Sequence, residues 1–216
     1  MKKTLFTLIA LAATMSINAQ MVEIYHGDQL VTKYRTVKGD KVVFKEPTPT
    51  TGKATKTDNI EVNWVQLWED GPKFAECNVG ATSATEYGDY FTWAEDKDIA
   101  KTKWGSNWRL PTKDEFDALL TNCTCKWTTQ SSVNGLLCKG KEGTAFEPNS
   151  LFFPAAGNRH DGSVSGLTLG GDYWSSTPVA GSDNQKVYSL LFSSGTKFVG
   201  SYSCDYGFSV RAVLVE

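Results

Sequence analysis

His160 stands in the polar segment GNRHDG, between Arg159 and Asp161, where an imidazole could act as a general acid or base. Catalysis would also require a nucleophile or a metal ligand nearby. The sequence contains no Gly-x-Ser-x-Gly, no His-Glu-x-x-His and no phosphate-binding loop. We therefore expect a protein that is not an enzyme. His160 is expected at a solvent-facing loop tip or, alternatively, on a ligand-binding surface.

The spacing of the five cysteines is compatible with one disulfide and argues against a metal site. Cys125 and Cys138 flank the segment KWTTQSSVNGLL, which has the pattern of two short strands around a polar turn. The two cysteines could face each other and form a disulfide, or both could remain thiols. There is no Cys-x-x-Cys pair and the two histidines are far apart, so we predict no structural zinc site and no cofactor. An odd number of cysteines leaves at least one thiol unpaired or available to another chain.

Glu147-Pro148-Asn149 offers carboxylate and amide oxygens, which are the ligands that Ca²⁺ prefers. In sugar-binding C-type lectins, such a tripeptide binds Ca²⁺ together with a downstream Trp-Asn-Asp segment. The downstream segment here is Trp174-Ser175-Ser176, which lacks the second pair of ligands, and the tripeptide leads directly into the apolar run SLFFP. We expect a turn before a strand, with calcium-dependent sugar binding as the alternative.

The last third of the chain concentrates side chains that suit adaptable binding. Tyr202, Asp205 and Tyr206 are interleaved with serine and glycine just before the final apolar segment. Tyrosine supplies rigid contact area, whereas serine and glycine allow flexible hydrogen bonding. We predict a ligand surface formed by loops, with a plain polar surface as the alternative. Its candidate contacts are Arg159, His160, Asp183, Asn184, Lys197, Tyr202, Asp205 and Tyr206.

The first nineteen residues have the order of a secretory signal peptide. Lys2 and Lys3 precede the apolar run 5–13, and the small residue Ala19 stands just before the predicted cleavage at Gln20. No later apolar run reaches the roughly 18 residues that a membrane helix requires. We predict an exported protein, either periplasmic or extracellular at the cell surface, without a membrane span.

The charge balance argues against nucleic acid as a partner. The chain has a formal net charge of −2, and removing residues 1–19 takes away two lysines and no acids, leaving −4. Nucleic acids and anionic membrane surfaces attract clustered lysine and arginine instead. The expected partner is an unidentified protein or carbohydrate ligand.

Composition divides the rest of the chain into three parts. Residues 20–46 contain three short β-like segments separated by Gly27-Asp28 and by 38–40, which predicts a small N-terminal β module. Residues 47–59 are rich in proline and threonine and predict an extended linker. The main domain is expected over residues 60–216.

The segment TKDEFDALLTN predicts one clear helix in the main domain, over about residues 113–121. Thr112 is the expected N-cap, and Glu115 completes a capping box that satisfies two backbone N–H groups reciprocally. Trp108 just upstream is expected in the core. Arg109 is expected to bind a nearby carboxylate or nearby carbonyl groups.

Downstream of this helix, short apolar segments alternate with polar turns, which predicts several short antiparallel strands. Trp174 is expected to pack in the core beside them. The predicted fold class is therefore α+β and rich in strands. The segments are SLFFPAAG, DYWSST, KVYSLLFSS, TKFVGSYS and GFSVRAVLV.

Several of these segments together resemble a known family. WRLPTKDEF and GFSVRAV resemble the formylglycine-generating-enzyme branch of the C-type lectin fold. The series CNVGATSATEYGDYFTWAE, WGSNWRLPTKDEFDALLTNCTCKWTTQSSVNG, LFFPAAGNR, YWSST and GFSVRAV is similar to the Fibrobacter succinogenes major paralogous domain, a family abundant in exported proteins of gut Bacteroidetes. The resemblance covers nearly all of residues 60–216 and implies a C-type-lectin-like fold.

The resemblance has different implications for catalysis and for binding. Formylglycine-generating enzymes hold copper with a cysteine pair upstream of the terminal Gly-Phe motif. Here 187–203 has no cysteine and Cys204 stands alone, close to Gly207, so a metal-dependent oxidase-like activity is not expected. Related variable proteins of diversity-generating retroelements use the last third of this fold as a ligand platform, which implies that 174–207 forms the binding face.

We therefore expect an exported, non-catalytic module that recognises a protein or glycan ligand through loops of its C-terminal third. The alternative is a structural or assembly component of a surface complex. In that case the strands of the N-terminal module would pair with a partner's sheet.

Overall fold

The computed structural model describes residues 21–26, 29–35, 50–94, 96–183 and 185–215. The predicted signal peptide and the third predicted strand of the N-terminal module lie outside these residues. The helices are α1 (Ile99–Trp104) and α2 (Lys113–Asn122). The strands are β1 (Met21–His26), β2 (Gln29–Arg35), β3 (Thr51–Lys56), β4 (Ile60–Val65), β5 (Phe74–Ala75), β6 (Phe91–Thr92), β7 (Trp108–Arg109), β8 (Thr124–Gln130), β9 (Val133–Lys139), β10 (Ser150–Pro154), β11 (Asn158–His160), β12 (Ser163–Ser165), β13 (Gly170–Pro178), β14 (Lys186–Ser193), β15 (Lys197–Ser203), β16 (Gly207–Phe208) and β17 (Val213–Leu214).

The chain divides into two units, with the boundary between Thr48 and Pro49. In the first unit, β1 and β2 pair antiparallel, as expected for the two β-like segments on either side of Gly27-Asp28. In the second unit, the strand orders of the four sheets are β3-β4-β5-β17-β7, β10-β9-β8, β12-β11-β16-β6 and β13-β14-β15. Within these sheets the neighbouring strands pair antiparallel, and two isolated parallel bridges, Gly157↔Gly171 and Tyr173↔Ser209, add to them. Among the described residues, α2 is the one helix that exceeds six residues. No described helix has the length and apolar character needed to cross a membrane.

The linker predicted over residues 47–59 is wrong for most of its length. Thr51–Lys56 forms β3, which pairs with Ile60–Val65 in register from Thr51↔Val65 to Lys56↔Ile60. Gly52 allows this pairing because a Cβ at that position would lie 2.6 Å from Cζ2 of Trp64. The proline and threonine content suggested a linker, but Thr51 and Thr55 of β3 are β-branched, which favours a strand. The second unit therefore begins about ten residues before the predicted boundary at Ile60.

The corner before α2 is built as its sequence predicts. The Thr112 side chain accepts from the Glu115 backbone N–H, and the Glu115 carboxylate accepts from the Thr112 backbone N–H at 2.7 Å. Arg109 donates to both oxygens of that carboxylate, at 2.6 and 2.8 Å, and to the Leu110 carbonyl. Burial opposes ionisation of Glu115, but these hydrogen bonds outweigh it and hold its pKa below the usual range. Trp108 is fully buried beside this corner.

The hairpin after α2 carries the disulfide that the spacing allowed. Cys125 of β8 lies opposite Cys138 of β9, and the two are bonded. Ser131 and Ser132 form the turn, and both have positive φ angles of 46° and 66°. Such a turn matches the twist of the two strands. The hairpin is therefore fixed at its tip by the turn and near its base by the covalent bond.

Two apolar clusters form the core of the second unit. One contains Trp108 and Trp174, whose ring stacks on Phe208 with centroids 4.1 Å apart. The other contains Phe116 and Leu119 from the buried face of α2, together with the disulfide. Trp174 also donates from its indole N–H to the Phe91 carbonyl at 2.7 Å, so its burial leaves no polar atom without a partner. These contacts place Trp174 in the core, as expected.

A fully buried arginine joins three distant parts of the second unit. The guanidinium of Arg211 donates from Nε to Oδ1 of Asn78 at 2.9 Å. It donates from Nη1 to the carbonyl groups of Ala75 and Glu76, and from Nη2 to the Phe152 carbonyl at 2.9 Å. These acceptors are neutral oxygens, so they satisfy the donors of the cation without an ion pair. Burial lowers the pKa of Arg211, although nearby groups oppose the shift.

Tyr173 extends this network into the sheet of β13, β14 and β15. Its hydroxyl donates to the Pro154 carbonyl at 2.8 Å and accepts from Nδ2 of Asn78 at 3.1 Å. Burial raises the pKa of Tyr173 to about 12, so the phenol stays neutral and keeps its proton for this bond. Asn78 thus connects Arg211 to Tyr173, and the sequence reasoning identified none of the three.

Replacing Arg211 with methionine should lower the free energy of unfolding by about 3 kcal/mol or more, because it leaves several buried carbonyl groups without donors. Chemical denaturation followed by tryptophan fluorescence measures this change. Arg159→Met is a matched control, because Arg159 is exposed, and should leave stability nearly unchanged. Equal stability of the two variants would show that the network contributes little.

Candidate ligand-binding site

A series of aromatic rings runs from the core to the surface at one end of the second unit. The Trp174 ring stacks on Phe208, and Phe208 contacts the Tyr202 ring at 5.2 Å. Tyr202 meets Tyr206 edge-to-face at 4.7 Å. His160 stacks on Tyr206 with centroids 4.0 Å apart and an interplanar angle of 17°. The outer rings of this series are half-buried, so they offer ring faces and polar atoms to solvent while the buried rings hold them in place.

His160 lies in strand β11, which corrects the loop predicted around this residue. Arg159 of β11 pairs with Gly207 of β16, and His160 closes a hairpin with Ser163. The turn residues Asp161 and Gly162 have positive φ angles of 48° and 76°. The sequence pair Asp-Gly is a strong hairpin signal, and it was available in the segment GNRHDG. The absence of a side chain at Gly207 lets β11 approach, because a Cβ there would lie 3.3 Å from the Cβ of Arg159.

Beside the outer rings lies a pocket of about 220 Å³. Arg159 and His160 line one part of it, and Asp161 and Asp205 contribute carboxylates. The Asp161 carboxylate lies 3.3 Å from Nδ1 of His160. The pocket therefore presents both cationic and anionic hydrogen-bonding groups next to exposed ring surface, an arrangement that suits a polar ligand with some apolar surface.

Thr92 gives this pocket a buried hydroxyl group without a partner. Its Oγ1 is shielded from solvent and makes no hydrogen bond within the part of the chain that the structure describes. Most buried polar groups in proteins are hydrogen-bonded, so this unpaired hydroxyl is an exception. Because Oγ1 is shielded from solvent, a ligand in the pocket does not reach it in this conformation, and Thr92 is not counted among the candidate contacts.

Asp172 of β13 is half-buried. Its Oδ2 accepts a hydrogen bond from Nδ2 of Asn158 at 2.7 Å. Burial raises the pKa of Asp172, because desolvation of the carboxylate outweighs the hydrogen bond from Asn158. Burial, followed by electrostatic repulsion from Tyr206 and Asp172, likewise raises the pKa of Tyr202, so its phenol remains neutral near pH 7.

The structure brings together five of the eight candidate contacts. Arg159, His160 and Asp205 line the pocket, and Tyr202 and Tyr206 form the adjoining rings. We call these five residues the aromatic–polar cluster.

The other three candidates are not placed in this cluster. Lys197 begins β15, at the opposite end of the strand from Tyr202, which is roughly 16 Å away at the usual rise of a strand. Asp183 is exposed in the turn between β13 and β14, and Asn184 lies outside the described residues. The sequence showed that these residues are polar and near turns, but not which turns meet.

In the tripeptide Glu147-Pro148-Asn149, the Glu147 and Asn149 side chains form hydrogen bonds to the backbone. The Glu147 carboxylate accepts from the Gly143 backbone N–H at 2.8 Å. The amide of Asn149 donates to the carbonyl groups of Thr50 and Gln66, at 3.3 and 2.7 Å. Asn149 is nearly buried and immediately precedes β10, so it anchors the start of that strand to the region around β3 and β4.

Cys204 is a buried thiol between Tyr202 and Tyr206 in sequence. Burial and the neighbouring Asp205 carboxylate raise its pKa, so the nucleophilic thiolate is disfavoured near neutral pH. Among the described residues, no three His, Cys, Asp or Glu side chains are grouped in a way that could hold a metal ion. The arrangement provides hydrogen bonds and ring contacts rather than an activated nucleophile.

Comparisons with protein-family profiles, with curated proteins and with solved structures found no match to this chain.

Replacing Asp172 with asparagine should make the protein more stable at neutral pH. The pKa of Asp172 is raised in the folded state, so the folded state binds the proton more tightly than the unfolded state does. Ionisation of Asp172 therefore lowers the free energy of unfolding. The free energy of unfolding of the wild type, minus that of Asp172→Asn, should therefore fall as the pH rises from the ordinary carboxyl pKa to the raised pKa of the folded state. Above that pH the difference should stay constant. Thermal unfolding of both proteins between pH 3 and 8 measures this difference. If the stability advantage of Asp172→Asn over the wild type became smaller as the pH rose, this effect of burial would be contradicted.

Proposed function

We propose that this chain is an exported, non-catalytic binding module that recognises a protein or glycan ligand through the aromatic–polar cluster. The observation that carries the proposal is the convergence of β11, the end of β15 and β16. They place stacked rings beside a pocket that contains Arg159, His160 and Asp205. Flat aromatic faces bind the apolar faces of sugars and peptide side chains, and charged groups at their edge fix orientation.

Three of the five cluster residues, Tyr202, Asp205 and Tyr206, lie within residues 174–207, where the resemblance of the sequence implies a ligand platform, whereas Arg159 and His160 precede that range. We infer a C-type-lectin-like fold of the Fibrobacter major paralogous family from the segments that carry this resemblance. The capped helix α2 after Trp108, the mostly antiparallel sheets and the terminal segment around Arg211 support that inference. Fold resemblance alone does not determine the ligand, so the contacts of the cluster carry the functional argument.

Export is part of the same proposal. The charge and apolar order of residues 1–19 supports it, and so does the disulfide between Cys125 and Cys138, because disulfides persist mainly in oxidising compartments.

A structural role in a surface assembly is the second candidate function. The observation that favours it is the pairing of β1 with β2. A sheet of two strands is marginally stable in water and gains stability by pairing with further strands. Such strands could come from a partner protein.

Alanine substitutions at the cluster residues Tyr202, Tyr206, Arg159 and Asp205 should each weaken binding by about tenfold or more, because each removes a ring contact or a charged hydrogen bond. The experiment is a screen of the mature chain, residues 20–216, on glycan and protein arrays, followed by calorimetric titration of the ligand that binds. Matched controls are Asp183→Ala for Asp205→Ala and Lys126→Ala for Arg159→Ala, since both control residues are exposed and outside the cluster.

Binding that survives the cluster substitutions would contradict the assignment. Deleting residues 20–46 separates the two functions. If binding persists without these residues, the cluster carries it. If binding or assembly disappears while the second unit stays folded, the structural function is the correct one.

A further inference from the structure

Strand β15 has a long edge that no other described strand covers. It is the last strand of the sheet ordered β13-β14-β15 and spans the seven residues Lys197–Ser203. The strand contains no proline, and its pairing with β14 has no irregularity. Unpaired strand edges readily accept another strand, and natural proteins usually protect them.

The hydrogen bonds at the two ends of β15 show which backbone groups face outward. Ser193 donates to Thr196 at the hairpin end, and Cys204 donates to Gln185 at the other end. Because bonding alternates along antiparallel strands, the even-numbered residues 198 to 204 bond to β14. The N–H and C=O groups of Lys197, Val199 and Ser201 therefore point away from the sheet.

The sequence of this edge is self-complementary in an antiparallel pair. Centred on Gly200, a second copy would place Val199 opposite Ser201 in hydrogen-bonded pairs. Phe198 would lie opposite Tyr202 in a non-bonded pair, where side chains approach most closely. Cross-strand aromatic pairs stabilise sheets, and two-fold symmetry supplies this pair twice.

The side chains that would meet are positioned for this contact. Phe198 is 52 % exposed, which is unusual for a phenylalanine on a strand. Its ring lies over Gly200 and next to Leu191, on the same face of the sheet as Tyr202. Gly200 at the centre has no side chain, which leaves room for the Phe198 ring to lie over the backbone there.

Charge is also complementary in this register. Lys197 would lie opposite Ser203 of the partner, whose hydroxyl is 3.3 Å from the Asp205 carboxylate in the same subunit. Lys197 is exposed, and the four-carbon stem of a lysine is long enough for its ammonium group to reach that carboxylate.

We propose that this chain forms a two-fold symmetric dimer in which the β15 strands of two copies pair antiparallel about Gly200. The two three-stranded sheets become one continuous sheet of six strands. Each subunit contributes Phe198 and Lys197 to the border of its partner's aromatic–polar cluster. Lys197, which is remote from the cluster within one chain, is thus brought to it by the second copy.

The test is sedimentation velocity of the mature chain over a range of micromolar concentrations, which should show a monomer–dimer equilibrium. Ser201→Pro removes only an outward-facing N–H, and edge positions of this kind tolerate proline. Ser201→Pro and Phe198→Ala should each weaken dimerisation about tenfold or more, because two-fold symmetry doubles each loss. Leu169→Ala is the matched control, because Leu169 is 70 % exposed and precedes β13, which does not pair with β15, and it should leave the equilibrium unchanged.

Amide hydrogen exchange provides a second measurement that does not depend on a variant. The amides of Val199 and Ser201 should exchange faster in dilute than in concentrated wild-type protein, while those of Phe198 and Gly200 stay protected at both concentrations. A chain that remains monomeric throughout the range would overturn the proposal. So would a dimer that persists in both β15 variants, since it would use another surface.

Discussion

The guanidinium group of Arg211 must find hydrogen-bond acceptors inside the protein, because it has no access to water and an unpaired buried charge costs several kcal/mol. Asn78 and three backbone carbonyl groups meet this demand. The acceptors come from β5, from the residues that follow it and from β10, so one side chain fixes the C-terminal segment against two distant parts of the chain. A cation can bind neutral carbonyl groups in this way only if all of them are held in place together, which makes the arrangement cooperative.

The aromatic–polar cluster depends on this constraint through the short segment between Gly207 and Arg211. Phe208 lies three residues before Arg211, stacks on the buried Trp174 ring and supports Tyr202. Gly207 allows β11 to approach, which brings His160 over Tyr206. The outer rings therefore rest on a core that is fixed on one side by apolar packing and on the other by the arginine network. A rigid support of this kind lowers the entropy that a binding surface loses when a ligand is bound.

The sequence predicted the local features well. The capping box at Thr112, the hairpin joined by Cys125 and Cys138 and the short antiparallel strands each depend on residues close together in the chain. The helix α1 and the strand β3 were missed, because α1 has only six residues and β3 lies in a stretch whose proline and threonine content resembled a linker.

The role of Arg211 was also not predicted, because an arginine between two apolar residues has the pattern of an ordinary polar position of a strand. Its acceptors lie about 60 to 135 residues away in the chain, and only the folded structure shows that they converge. Similarly, Tyr202, His160 and Lys197 were all candidate contacts from the sequence. The sequence did not show that Tyr202 and His160 lie together in the folded chain while Lys197 lies elsewhere.

The most direct test of this account is the hydrogen exchange rate of the Arg211 Nε–H, observed by NMR on protein labelled with ¹⁵N-arginine. This proton should exchange only when the second unit unfolds, so its protection should equal the global free energy of unfolding. The corresponding proton of the exposed Arg159 should exchange rapidly in the same sample. Rapid exchange at Arg211 would mean that the guanidinium reaches water in the native state, and would contradict the central role given to its buried network.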